Sequence, residues 1–261
     1  MIDQFDHLMQ TEEVCSKLYK HLIHLDQVDS TNKFALNLSE KDHGVCIYSK
    51  NQFEGKGREG RFWHGKQNKS LALSILLEYP KTDKHKSLLP ILTANSVCKT
   101  LKKFKIKSSI KWPNDILVNN KKISGILCEV EFTPDKKNYL VVGIGINVNL
   151  NSEDFLNEQK KYKINPTSMS IESDCIFEID KVCSSLLINF ANFYHMLDGN
   201  EDEIISFYNL HWGDKGKNLN VQMGDKFVTG KAISINSFGE LLIRDNDKDL
   251  SINSGEIISF L

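Results

Sequence analysis

The feature that most constrains the fold is a change of texture near residue 214. From about Asn218 onward, five short β-prone stretches follow one another. They are separated by Met223-Gly224-Asp225, Asn236-Ser237-Phe238-Gly239 and Asp245-Asn246-Asp247. Strands this short, joined by tight turns, have only one another to pair with, which predicts a small antiparallel barrel. The break falls near Gly213-Asp214-Lys215-Gly216, dividing the chain into residues 1–214 and 215–261.

Upstream, helical and strand periodicities alternate. Val14, Leu18 and Leu22 predict a helix within residues 12–24, and Leu25 to Val28 a strand. Ser30 or Thr31 can cap a helix from Asn32 to Leu38. Val45-Cys46-Ile47-Tyr48 reads as a strand, and Leu71, Leu73, Ile75 and Leu77 alternate along another over 70–78. Ile91, Ala94, Cys98 and Leu101 place a helix after Pro90. Ser109 to Trp112 is a strand, and Ile116–Val118 with Ile123–Glu131 make a hairpin around Asn119-Asn120-Lys121. A strand from Tyr139 to Asn147 and helices over 182–197 and 201–211 complete an α+β unit.

The net charge of −1 supplies no field that would draw the chain onto nucleic acid or an anionic membrane. No apolar run reaches the roughly 20 residues of a membrane-spanning helix. The N-terminus lacks the basic and apolar segments of a secretion signal. Six cysteines without C-x-x-C spacing read as small core residues of a cytoplasmic protein.

Two motifs carry chemistry. Gln52-Phe53-Glu54-Gly55-Lys56-Gly57-Arg58-Glu59-Gly60-Arg61-Phe62-Trp63 interleaves glycines with cations. Glycine removes the bulk that would keep an anion from backbone and guanidinium donors, so the loop reads as an anion clasp rather than a solvated turn. The G-x-x-x-x-G-K-[ST] pattern of a P-loop is absent. Lys111-Trp112-Pro113-Asn114-Asp115, followed by Lys122-Ile123-Ser124-Gly125, sets a carboxylate and an ammonium on the two sides of a short hairpin. Gly143-Ile144-Gly145 lacks the third glycine of a dinucleotide fingerprint, so it reads either as a strand that admits a flat ligand or as a glycine bulge. Scattered histidines give no metal-ligand spacing.

In this order, these segments resemble the biotin–protein ligase family. The matching pieces are Asp29-Ser30-Thr31-Asn32, the loop Gly55 to Arg61 with Trp63, Lys111 to Asp115, Lys122 to Leu127, Gly143 to Asn149 and Pro166-Thr167-Ser168-Met169. Lys56 and Glu59 stand where many members carry arginine. The resemblance implies an α+β fold, a class II synthetase-like mixed sheet with flanking helices plus an SH3-like C-terminal barrel. It implies a catalytic unit over 1–214 that makes biotinyl-5′-AMP from biotin and MgATP. The biotinyl group would then pass to a lysine of biotin carboxyl carrier protein.

Ser30, Thr31, Asn32, Gln52, Lys56, Gly57, Arg58, Lys122, Gly143 and Gly145 would bind biotin, with Trp112 as a further wall. Arg58, Arg61, Trp63, Asn114, Lys122 and Asn147 would hold ATP and the adenylate. Lys122, Arg58 and Asp115 would be catalytic, and no protein-bound metal is expected. The segment before residue 25 is too short for the helix-turn-helix of repressor members, so nucleic acid is not an expected partner; a homodimer is open. Two rival readings are a lipoate–protein ligase and a non-catalytic biotin-binding module.

Overall fold

The computed structural model describes residues 2–63, 65–132, 137–156, 164–246 and 248–260. Two helices, α1 (Ile2–Thr11) and α2 (Glu13–Leu18), precede the edge strand β1 (His21–Leu25). Then come α3 (Thr31–Leu36), β2 (Val45–Ser49), the small hairpin β3 (Gly55–Lys56) and β4 (Phe62–Trp63), and β5 (Ser70–Glu78). The long α4 (Asp83–Lys103) leads to β6 (Ser109–Lys111), β7 (Asp115–Val118), β8 (Lys121–Glu131) and β9 (Tyr139–Asn147). Helices α5 (Ser152–Leu156), α6 (Met169–Ser173), α7 (Ile179–His195) and α8 (Glu201–His211) follow. Last are β10 (Asn218–Met223), β11 (Lys226–Ile235), β12 (Leu241–Asp245), β13 (Lys248–Ile252) and β14 (Glu256–Phe260).

Seven strands form a mixed sheet in the order β1-β2-β5-β9-β8-β7-β6, in which only β1 and β2 run parallel. The five C-terminal strands make an antiparallel sheet, β13-β12-β11-β10-β14. The two faces of the larger sheet differ. Leu71, Leu73, Ile75 and Leu77 of β5 join Leu140, Val142, Ile144 and Ile146 of β9 in one core with residues of α4 and α7. The opposite face alternates with them, as strand geometry requires. There, Ser74 pairs with Gly143 and Ala72 with Gly145, and Gly125 of β8 also faces Gly145. Under α3, Val45, Ile47, Leu76 and Val141 fill a small second core with Ala35. Beyond α3 that face carries Ala72, Gly125, Gly143 and Gly145, and their small side-chain volume leaves room above the sheet.

Three elements differ from their sequence signals. The 12–24 helix stops at Leu18, because Tyr19 turns extended and buries its ring, its hydroxyl donating to Leu187 O at 2.8 Å. Leu22 therefore lies in β1, and Val28 bridges to Gln52 beyond the strand's end. Helix α4 starts at Asp83, seven residues before Pro90, capped by Thr82, whose hydroxyl accepts from His85 N–H at 3.1 Å. A mid-helix proline costs about 3 kcal/mol, and full burial of Leu88, Leu89 and Leu92 around it offsets that. Asn119 and Asn120, at φ 50° and 61°, make the β7–β8 turn.

The barrel is not a separate bead. Leu219, Val221, Ile243 and Ile257 belong to the same core cluster as Trp112, Ile110 and Tyr208. Asn209 of α8 bonds both ways to Ile235 of β11, at 2.9 and 2.8 Å. All six cysteines are unpaired thiols, four of them buried, with Cys128 half-buried and Cys175 exposed.

Candidate active site

A cavity of about 330 Å³ lies over the small-residue floor. Its neutral end is built on the start of α3. Ser30 caps that helix, its hydroxyl accepting from Lys33 N–H at 3.4 Å. Thr31 N–H donates to Gln52 Oε1 at 2.8 Å, which fixes the Gln52 carboxamide with its nitrogen away from Thr31. That amide needs Gly55, since a Cβ there would lie 2.5 Å from Gln52 Nε2. Asn32 donates from Nδ2 to Leu127 O at 3.2 Å and to Glu129 Oε2 at 2.7 Å. Ser74 Oγ lies 2.6 Å from Asn32 Oδ1 and 2.7 Å from Thr31 Oγ1.

The cationic loop forms the charged end. Gly57 N–H donates to Arg61 O at 2.6 Å across the β3–β4 hairpin, and Glu59 and Gly60 turn at φ 58° and 72°. A non-glycine residue in the left-handed region costs roughly 1–2 kcal/mol, so Glu59 sits in a strained corner. Arg58 donates to Gly255 O at 3.1 Å and to Asn114 Oδ1 at 3.4 Å, and Arg61 Nη1 pairs with Glu256 Oε1 at 2.7 Å. Strand β14 of the barrel is thus the seat on which the loop rests.

Lys122 and Asp115 meet across the hairpin, Nζ to Oδ1 at 2.6 Å. Lys122 is also held by its backbone. Its N–H donates to Asn165 O and its carbonyl accepts from Thr167 N–H, both at 2.8 Å. The Lys122 ammonium lies 5.6 Å from the centre of the Trp63 ring. That indole packs on the glycine floor, where a Cβ at Gly145 would come within 2.3 Å of it and one at Gly125 within 3.0 Å. A Cβ at Gly143 would lie 2.3 Å from Asn32 Oδ1. The β8–β9 register runs without a shift through both glycines, so neither is a bulge. They admit flat or polar groups of the protein itself.

Of the residues singled out in the sequence, Ser30, Thr31, Asn32, Gln52, Lys56, Gly57, Arg58, Arg61, Trp63, Trp112, Asn114, Asp115, Lys122, Gly143 and Gly145 border this cavity. Asn147 does not. It is buried, and Nδ2 donates to Thr167 O at 2.9 Å, bracing the segment that clamps Lys122. Four residues passed without a role: Lys111, Glu256, Ser74 and Glu129. Burial holds the Lys111 ammonium below the usual lysine range, against opposing pulls from Asp115, Glu256 and Asp214. It donates to Ile257 O at 3.1 Å. Alternation along β5 could have flagged Ser74, a polar residue between Leu73 and Ile75. Glu256 sits 195 residues from Arg61, and no local pattern joins them. Among the described residues no cluster of three or more His, Cys, Asp or Glu side chains could hold a metal ion.

The sequence matches the Biotin/lipoate A/B protein ligase family over residues 24–147 and the Biotin protein ligase C terminal domain over 216–259. It is 31% identical over 243 residues to the Bifunctional ligase/repressor BirA of Bacillus spizizenii, covering 91% of this chain and 74% of that protein. It is 23% identical over 223 residues to the Biotin--[acetyl-CoA-carboxylase] ligase of Mycobacterium tuberculosis, covering 82% and 79%. The biotin protein ligase of Aquifex aeolicus, solved in complex with biotin and ATP, superposes with a TM-score of 0.76 at 27% identity, covering 91% of this chain and 97% of that one.

Proposed function

The chain belongs to the biotin protein ligase family, and from that premise we propose how its cavity carries out the reaction. It is a biotin–protein ligase: it activates biotin with ATP and transfers the biotinyl group to a carrier protein. The observation that carries the site assignment is that one cavity joins a neutral hydrogen-bonding end to a cationic end across a floor with little side-chain volume. A urea ring, an apolar link and an acyl phosphate have the same sequence of chemistries.

At the neutral end, Ser30, Thr31 and Gln52 read the ureido group, whose N–H and C=O need acceptors and donors side by side. Asn32 belongs to the same wall, but both of its amide hydrogens are engaged by Leu127 and Glu129. At the charged end, Lys56, Arg58, Arg61 and Lys122 bring the biotin carboxylate and the α-phosphate of MgATP together, although both are anions. The carboxylate oxygen attacks the α-phosphorus and pyrophosphate departs. Lys122 stabilises the charge on the phosphoryl oxygens by exchanging Asp115 for phosphate. That exchange leaves the Asp115 carboxylate open to accept the proton of the carrier lysine as its nitrogen attacks the acyl carbon and AMP leaves. Trp63 and Asn114 flank the nucleotide. The loop on its β14 seat shields the mixed anhydride from water.

The catalytic unit is assigned to residues 1–214 and the barrel to 215–261, in keeping with the second family match. The carrier is the biotin carboxyl carrier subunit of acetyl-CoA carboxylase, a reading supported by the name of the mycobacterial relative. Among the described residues no helix is long and apolar enough to cross a membrane, and unpaired thiols fit a reducing cytoplasm. A lipoate reading is disfavoured by the match to a biotin-ligase C-terminal domain.

Mass spectrometry of a carrier domain incubated with the protein, biotin and MgATP tests this function. One biotinyl adduct on one lysine is expected. Modification with lipoate but not with biotin would overturn the assignment.

A further inference from the structure

The neutral end contains more polar atoms than the ligand can touch, and their protons can be assigned by elimination. Glu129 Oε2 and Leu127 O have no hydrogen to give, so the Asn32 nitrogen must face them and both its hydrogens are taken. Asn32 Oδ1 therefore faces Ser74 Oγ at 2.6 Å, and a contact that short between two oxygens requires a proton. Only Ser74 has one to supply. With that hydroxyl committed, the 2.7 Å contact between Ser74 and Thr31 can hold only if Thr31 donates to Ser74. Thr31 Oγ1 also lies 3.1 Å from Gln52 Oε1. If Thr31 pointed its proton there, the Ser74–Thr31 and Ser74–Asn32 pairs would both have to draw on the single Ser74 hydrogen. The longer contact is the one that goes without, and the Gln52 oxygen is already served by Thr31 N–H at 2.8 Å.

We propose that the chain Glu129–Asn32–Ser74 draws the hydroxyl proton of Thr31 away from the cavity and makes Thr31 an acceptor only. Ser74 is fully buried and does not border the cavity, so it is a positioning residue acting through Thr31. The consequence is specificity. A ring N–H opposite Thr31 is accepted, and an isosteric ring oxygen there meets a lone pair with no proton available. This rests on reading the neutral end as a ureido site.

The test uses the full chain, biotin and two cyclic carbamate analogues, each with one ureido N–H replaced by oxygen, with dissociation constants from calorimetry. A facing pair of acceptors in a buried site weakens binding by roughly 10- to 100-fold. The wild type should therefore reject one isomer by that factor beyond the loss shown by the other. In Ser74→Ala the Thr31 proton is released from Ser74. To turn toward a ring oxygen it gives up only the long 3.1 Å contact with Gln52 Oε1, already served by Thr31 N–H, so the difference between isomers should shrink to about threefold or less. Biotin itself should change little and ATP affinity not at all. A merely structural role for Ser74 would weaken all three ligands together and preserve their order. Equal binding of both isomers by the wild type overturns the proposal without any variant, so a misfolded Ser74→Ala leaves the test intact. Retention of full discrimination by a folded Ser74→Ala also overturns it. Failure of the wild type to bind biotin would instead refute the assigned function.

Discussion

The two ends of the cavity solve opposite problems. At the neutral end the hydrogen bonds of Thr31, Asn32, Gln52 and Ser74 are made within the protein, on a helix start, two sheet strands and the segment between β2 and β3. Little has to move for a ligand to be read. At the charged end the cations are engaged by charged or polar partners: Lys122 holds Asp115, Arg61 holds Glu256, and Arg58 and Lys111 hold barrel carbonyls, and a phosphate must draw Lys122 from its carboxylate. Preorganised neutral groups give affinity at small ordering cost, whereas charges that must change partners contribute chiefly to the transition state. The first end should govern biotin binding and the second the rate.

Separation of these roles is broken most severely at Lys122. Lys122→Ala should cut adenylate formation by about 100- to 1,000-fold, as loss of a charge-stabilising donor does, and weaken biotin binding far less. Pyrophosphate release and calorimetry on one preparation measure both. Parallel losses would mean that the ends do not act separately. The reciprocal variant is Gly143→Ala, whose Cβ would press on Asn32 Oδ1 from 2.3 Å. Overpacking of this kind costs roughly 1–3 kcal/mol, and here it falls on the proton chain. Biotin binding should weaken by about tenfold or more while ATP binding stays as it was. Smaller still is Glu256→Gln. A half-exposed ion pair contributes about 0–1 kcal/mol, so loosening the Arg61 seat should raise escape of the adenylate, assayed as its hydrolysis, by no more than about fivefold. An unchanged rate would deny the barrel a part in closure.

The two ends were not equally legible in the sequence. The charged end is local: glycines and cations alternate within Gly55–Arg61, and Asp115 and Lys122 are brought together by one hairpin whose Asn119-Asn120 turn is itself a sequence signal. The five strands after Asn218 were legible for the same reason, since each pairs with a near neighbour except β14, which returns to β10. Partners far apart in the chain were not. Glu129 lies 97 residues from Asn32, Ser74 42 residues from it, and Glu256 195 from Arg61. Long-range register decides those contacts. Asn147 shows the converse case: at the end of a glycine strand it reads as a ligand contact, and in the structure its amide nitrogen braces Thr167. Pro90 misled because burial outweighed propensity.

Lys111 gives the mildest test and the one that separates the ends by pH alone. Burial holds its folded-state value below the ordinary 10.5. Between that depressed value and 10.5, the unfolded chain binds a proton that the folded chain does not, so stability rises with pH across the window. The penalty for keeping the ammonium buried is full below the folded value and gone above 10.5. Buried Tyr19 and Tyr208, pushed upward by burial, act in the opposite sense, so the contrast with Lys111→Met isolates the lysine. Denaturant midpoints taken stepwise through alkaline pH should climb less, or fall sooner, in that variant than in wild type. A triphosphate bound beside Lys111 should re-pair the ammonium, raise its folded value and flatten the difference, whereas a neutral amide of biotin should leave it in place. If the neutral ligand flattened the curve as much as ATP does, the charge at Lys111 would be answering to both ends, and the division of labour between them would fail.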